Sequence, residues 1–76
     1  MDEYSYGTCL RNIAWLRAHH GLNRVQMARL LHVSIATLRR VESGDETVSL
    51  SGSVLRRIHD EFHIPPAALF GKRLGE

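Results

Sequence analysis

The feature that most constrains this chain is the segment from Gly21 to Gly44, which holds two short helical patterns in direct succession. Asn23 and Ser34 are both strong N-cap residues, and each is followed by apolar residues at helical spacing. Only His32-Val33 separates the first pattern from the second N-cap. Because so short a link makes two helices cross steeply, we expect the outer face of the second helix to stay exposed.

Apolar periodicity predicts three further helices, so we expect an all-α fold, a compact five-helix bundle. Thr8 is the predicted N-cap of the first helix, which ends at Gly21. After a polar loop over residues 45–53, four apolar residues at helical spacing predict a fourth helix: Val54, Leu55, Ile58 and Phe62. Pro65 stops this helix, and Pro66 begins a short fifth helix before a frayed tail at residues 71–76.

The charges are distributed unevenly along the chain, although the formal net charge is only +2. No acidic residue lies between Glu3 and Glu42. The same stretch contains many basic residues and histidines: Arg11, Arg17, His19, His20, Arg24, Arg29, His32, Arg39 and Arg40. Such a run is either a solvated basic face or a face that binds a polyanion such as nucleic acid.

Other kinds of site find little support in the sequence. Cys9 is the only cysteine, which excludes an internal disulfide and a cysteine-built zinc site and fits a reducing cytoplasm. We interpret it as a small core residue. His59 and His63 are four residues apart, but Asp60 follows the first where a zinc protease needs glutamate. We therefore predict a cytoplasmic protein that is not an enzyme, with no metal, no cofactor, no small-molecule ligand and no membrane span.

Several groups of residues resemble one known family: Gly21-Leu22-Asn23, Met27-Ala28, Val33-Ser34, Leu38 and Glu42-Ser43-Gly44. Through them the chain resembles the Cro and lambdoid phage repressor (Cro/C1) type of helix-turn-helix, also called the xenobiotic-response-element family. The resemblance covers about residues 9–70 and is tightest over residues 17–44. It implies a single lambda repressor-like domain over residues 1–76, with a core at about 8–70, the helix-turn-helix at about 23–43 and short flexible ends.

The resemblance also implies roles for individual residues. The residues implied to meet DNA phosphates are Asn23, Arg24, Thr37 and Arg39. Those implied to face the bases are Ser34, Ile35 and Ala36, at the start of the third helix, and Arg40, one turn later. Arg17 and Glu42 match a family pair that forms a structural salt bridge between the first and third helices.

The chain also departs from the family's pattern at the interface. Ile35 and Ala36 stand where the family often has polar residues, which leaves apolar contact with a thymine methyl. Arg40 is then the main residue that can read a base by hydrogen bonds. Asp45 and Glu46 occupy loop positions where the family often has basic residues. We therefore expect this loop to bind DNA phosphates more weakly than the loop of those family members.

Two histidines, His32 and His63, stand where the family usually has a glycine at the end of a helix. A glycine there adopts the left-handed backbone conformation. Histidine tolerates that conformation better than most residues, so we expect both helix ends to keep the family's geometry.

The implied function is sequence-specific transcription regulation, with the third helix reading the major groove of double-stranded DNA. The resemblance favours a repressor. Because one such small domain makes few contacts with DNA, we also expect a homodimer, with Trp15, Leu69 and Phe70 as candidate interface residues. Trp15 is out of phase with the apolar stripe of its helix, so it either covers the closing helices or marks a partner surface. The alternative is that the fold serves as a protein-interaction or antitoxin-like module. This alternative stays open because Ile35 and Ala36 are apolar and Asp45 and Glu46 are acidic.

Overall fold

A computed structural model describes residues 5–75, and within that range the chain forms five helices and no strand. The helices are α1 (Tyr6–His19), α2 (Arg24–Leu31), α3 (Ile35–Glu42), α4 (Gly52–Phe62) and α5 (Pro66–Gly71). The all-helical, five-helix architecture predicted from the periodicity is confirmed. Of the predicted flexible ends, which lie outside about residues 8–70, residues 1–4 and Glu76 are outside the described range. No helix in the described range is long and apolar enough to cross a membrane.

Polar N-caps begin the two central helices where the sequence predicted them. The Asn23 side chain accepts a hydrogen bond from Gln26 N, and the Gln26 side chain accepts one from Asn23 N, both at 2.8 Å. This reciprocal pair is a capping box, which satisfies two backbone donors at the start of α2. Ser34 caps α3 through Thr37 N at 3.0 Å. These local hydrogen bonds stabilise the first turn of each helix at the position that the sequence predicted.

Two other helix starts differ from the prediction. Ser5, not Thr8, is the N-cap of α1, because its extended backbone lets Ser5 Oγ accept from Thr8 N at 3.1 Å. The apolar stripe does not include Tyr6, so periodicity alone could not place this boundary. Ser51 caps α4 in the same way, and Gly52 is already helical, so the loop ends earlier than predicted.

The two histidine helix ends adopt the left-handed conformation, as expected. His32 has φ 58° and His63 has φ 59°. At the end of α2, Val33 N donates to Ala28 O at 3.0 Å, which closes a Schellman turn. This turn reverses the chain at once into Ser34 and α3, so the link between α2 and α3 is as short as the sequence indicated.

The core lies around α1, which packs against α3 and α5, while α2 packs against α3 and α4. Its buried members are Cys9, Leu10, Ile13, Leu16, Met27, Ala28, Leu31, Leu38, Val41, Val48, Val54, Ile58 and Leu69. Cys9 is a core residue, as predicted, and burial raises the pKa of its thiol to about 11. The thiol therefore stays protonated and is a poor nucleophile. Leu69 is fully buried, so the prediction that it forms a dimer interface is wrong.

Asn12 is a fully buried polar residue on α1 that fastens the C-terminal tail. Its Nδ2 donates to the backbone carbonyls of Leu69 and Lys72 at 2.7 and 2.6 Å, and its Oδ1 accepts from Leu74 N at 3.0 Å. Within the tail that the sequence predicted to be frayed, Lys72 and Leu74 thus have backbone hydrogen bonds to α1. Composition gave no sign of these contacts, because Asn12 lies about sixty positions earlier in the chain.

Trp15 lies partly buried against the core rather than projecting freely. Its indole stacks on the His19 ring with centroids 4.3 Å apart and an interplanar angle of 13°. Gly75, at φ 84°, lies so close to the indole that a side chain at this position would clash with it. Of the two interpretations left open by the sequence, this packing favours a covering role for Trp15.

Candidate nucleic-acid interface

The two faces of α3 differ sharply in exposure. Leu38 is 0% exposed and Val41 is 2% exposed, and both belong to the core. Ile35 is 37% exposed. The other residues of the outer face are also exposed: Ala36, Arg39 and Arg40. Because residues four apart share a helix face, the apolar start of α3 and its two arginines form one continuous surface.

Packing against α2 holds this surface outward. Met27, Ala28 and Leu31 are buried on the inner side of α2, and α2 packs directly against α3. Ala28 has a small side chain, so the two helices can approach closely where the chain turns at His32. The N-terminus of α3 is exposed at Ser34, so both the start and the outer side of the helix are accessible to a ligand.

Glu42 joins three helices at the opposite end of α3. Its side chain is only 7% exposed, and it accepts hydrogen bonds from Arg17 Nε at 2.5 Å and Arg24 Nε at 3.0 Å. Arg17 also donates from Nη1 to Leu22 O at 2.9 Å. The Arg17–Glu42 ion pair is thus present and fixes α3 to α1 and to the turn before α2.

Three of the four residues assigned to phosphate have structural contacts of their own. Arg24 pairs with Glu42, a contact that the resemblance did not imply, while 48% of its side chain stays exposed. Asn23 caps α2, and Thr37 Oγ1 accepts from the Ser34 hydroxyl at 2.9 Å. Arg39 is exposed and forms no ion pair within residues 5–75.

Arg40 is held against the loop that follows α3. Its Nε donates to Asp45 Oδ2 at 2.9 Å, and its Nη2 donates to Thr47 Oγ1 at 3.0 Å. The hydroxyl and backbone N–H of Thr47 donate to Asp45 Oδ1 at 2.6 and 3.0 Å. We call these three residues the Arg40 clasp. Hydrogen bonds from the Thr47 hydroxyl, from Arg40 and from Thr47 N lower the pKa of Asp45 to about 2, so its carboxylate is ionised at neutral pH.

The end of α3 brings the members of the clasp together. Gly44 has φ 79°, and its N–H donates to Val41 O at 3.0 Å while Asp45 N donates to Arg40 O at 3.1 Å. This is a Schellman turn, which requires a residue that accepts the left-handed conformation after the helix. Asp45 therefore contacts Arg40 through both backbone and side chain.

Tyr6 fixes the far part of the same loop to α1. Its hydroxyl donates to Val48 O at 2.6 Å and accepts from Leu50 N at 3.0 Å. Val48 is buried in the core, so the loop has an apolar anchor as well. Neither contact was predicted, because the sequence showed only a polar stretch and a tyrosine outside the apolar stripe.

Two short capped helices, a tight left-handed turn between them and an exposed outer face on the second together define a helix-turn-helix. Residues 7–69 match the helix-turn-helix domain family, which is related to the Cro/C1, or xenobiotic-response-element, type of domain. The chain belongs to this family. Comparisons with curated proteins and with solved structures found no match.

The helix-turn-helix brings most of the sequence-predicted site residues to one side of the molecule. The first helix of the pair contributes its exposed N-terminal turn, and the second contributes its outer face. Arg17 lies apart from them on α1, where its partly buried side chain pairs with Glu42. Within the described residues, no group of three or more side chains is arranged to hold a metal ion. This side offers hydrogen-bond donors and positive charge beside the apolar side chains of Ile35 and Ala36, and its arginines suit a polyanionic ligand.

Proposed function

We propose that this helix-turn-helix protein is a sequence-specific, DNA-binding transcription regulator whose α3 enters the major groove. The observation that carries the proposal is the exposed, arginine-bearing face of α3, which Leu38, Val41 and Glu42 hold outward. The major groove is wide enough to admit an α-helix, and duplex DNA supplies the negative charge that such a face attracts.

In the proposed complex the residues have distinct tasks. Ser34, Ile35 and Ala36 face base edges, and the exposed apolar side chains contact thymine methyl groups. Arg40 donates hydrogen bonds to a base one turn further along α3. The phosphates are met by the exposed backbone of the N-terminal turns and by four side chains: Asn23, Arg24, Thr37 and Arg39.

We further propose that two copies bind a palindromic operator and that the protein acts as a repressor in the cytoplasm. One domain this small makes few base contacts, so a second copy is needed for specificity. The two copies of α3 would then lie about 34 Å apart, one turn of the duplex, on the same face of the DNA. Repression follows where such a site overlaps a promoter.

DNA affinity should depend steeply on salt, because arginine–phosphate contacts release condensed counterions. Fluorescence anisotropy with duplexes selected from a random library should give a log–log slope of about −0.9 for each phosphate neutralised. Arg39→Ala should weaken binding to all duplexes and reduce that slope by about 1. Arg40→Ala should cost about 1–3 kcal/mol on the selected duplex.

Lys72→Ala provides the matched control, because Lys72 is an exposed cation beyond α5, on the tail that packs against α1. It removes the same charge as either arginine variant and should leave affinity nearly unchanged. A loss in Lys72→Ala equal to that in Arg39→Ala would show that net charge, rather than the face of α3, drives binding.

A second candidate function, a protein-interaction module, is favoured by one observation. Val25 and Ile35 are the exposed large hydrophobic residues of the described chain, at 43% and 37%, and they lie near the N-termini of α2 and α3. Exposed apolar side chains of this size favour contact with an apolar partner surface. Absence of duplex binding at low salt, together with recovery of one defined protein that is lost on Ile35→Asp, would favour this function.

A further inference from the structure

The loop after α3 carries an acidic residue where a DNA-binding surface would be expected to carry a basic one. A carboxylate near phosphate lowers affinity for DNA by repulsion. Asp45 nevertheless lies directly beside Arg40, on the side of the molecule that we propose meets the duplex. Building on that proposed function, we propose that Asp45 and Thr47 position the Arg40 guanidinium to read a guanine, so that the loop sets base specificity.

The hydrogen bonds of the Arg40 clasp leave one edge of the guanidinium free. Arginine has five N–H donors in a planar fork. Nε–H is used by Asp45 and one hydrogen of Nη2 is used by Thr47, so the side edge of the fork is occupied. The two Nη1 hydrogens and the second Nη2 hydrogen remain, and they lie at the outer end of the side chain.

That free end matches guanine better than any other base. Nη1 and Nη2 present two parallel donors, and guanine presents two acceptors, O6 and N7, in the major groove. Adenine presents one acceptor and one donor, so it can accept a hydrogen bond from only one of these two arginine donors. A guanidinium held by its side edge therefore favours guanine.

The clasp also lowers the entropic cost of recognition. A free arginine side chain loses rotamer freedom when it binds a base. Arg40 is 52% exposed, yet it is already held by two side chains, and the clasp is reinforced by the Thr47–Asp45 hydrogen bonds. Arg40 is thus ordered before DNA arrives, which favours binding to the base that fits its orientation.

The positioning role has a signature that differs from simple charge repulsion. Removing the Asp45 carboxylate should increase affinity for random duplexes, because a negative charge leaves the interface. The same change should reduce the preference for guanine, because Arg40 becomes mobile. Thr47→Val should reduce that preference without changing the charge, and Thr47→Ser should retain it because the hydroxyl is kept.

Site selection on a duplex library with a randomised centre of about two helical turns tests this. The base pair read by Arg40 is the one whose preference is lost in Arg40→Ala. At that pair the unaltered protein should favour guanine over adenine about tenfold or more. Asp45→Ala and Thr47→Val should lose most of this ratio, whereas Thr47→Ser should keep it. Glu46→Ala is the matched control, because it removes a neighbouring charge that takes no part in the clasp, and its ratio should not change.

Two results would overturn the positioning role while leaving DNA binding intact. In one, Asp45→Ala and Thr47→Val bind DNA with the guanine ratio of the unaltered protein, so Arg40 reads its base unaided. In the other, Asp45→Ala binds the selected duplex more tightly at an unchanged ratio, so the clasp only competes with DNA. If the unaltered protein binds no duplex at low salt, the proposed function falls and the role of the clasp falls with it.

Discussion

Replacing Asn12 with alanine is expected to destabilise the protein by about 3 kcal/mol. The variant leaves the backbone groups of Leu69, Lys72 and Leu74 without the hydrogen-bond partner that the buried Asn12 side chain provides. The side chain caps the end of α5 and holds Leu74 N. A loss of this size is large for a domain of this length, and the melting temperature should fall by about 10–20 °C. Urea denaturation followed by circular dichroism measures the loss directly.

Arg11→Ala is the control for Asn12→Ala, because Arg11 is the neighbouring residue of α1 and is exposed. It should change the free energy of unfolding by less than about 0.5 kcal/mol. In the Asn12 variant, amide exchange should accelerate first at residues 72–75, which depend on Asn12 for their position. Equal unfolding midpoints for Asn12→Ala and the unaltered protein would contradict the anchoring role.

Replacing Glu42 with alanine should cost about 2 kcal/mol, since Arg17 then keeps a partly buried guanidinium without its carboxylate. Breaking a fully buried pair costs more, but both arginines retain contact with water, which screens the interaction. Glu42→Gln should lose less than Glu42→Ala, because its single carbonyl oxygen can still accept from one arginine.

Double-mutant cycles can separate the two arginines that share Glu42. Arg17, the more buried partner, should couple to Glu42 by about 1–2 kcal/mol. Arg24, which is 48% exposed, should couple by less than about 0.5 kcal/mol. A larger coupling for Arg24 than for Arg17 would contradict the view that Glu42 chiefly fastens α3 to α1.

The sequence predicted the parts of the fold that local chemistry determines. Asn23 and Ser34 cap their helices through residues three positions away, and the apolar spacing of α3 decides which face is buried. His32 and His63 end their helices in the left-handed conformation, which depends only on the residue and its neighbours. The sequence alone was therefore enough to predict which face of α3 is exposed.

Contacts between residues far apart in the chain could not be predicted from the sequence. The side chain of Asn12 bonds to the C-terminal tail and that of Tyr6 bonds to the loop after α3. Neither pair of partners is indicated by the spacing of apolar residues. The Arg40 clasp is different, because Asp45 follows Arg40 by five residues across a glycine helix end. The sequence shows that spacing, but it does not show that the Asp45 carboxylate accepts a hydrogen bond from the Arg40 guanidinium.

Mapping backbone amide chemical shifts during titration with a selected duplex tests the central proposal most directly. If α3 enters the major groove, the largest changes should fall on residues 34–40 and at the start of α2, and they should diminish as salt is added. Shifts confined to α4 and the tail at 72–75, with residues 34–40 unchanged at saturating duplex, would contradict the proposal.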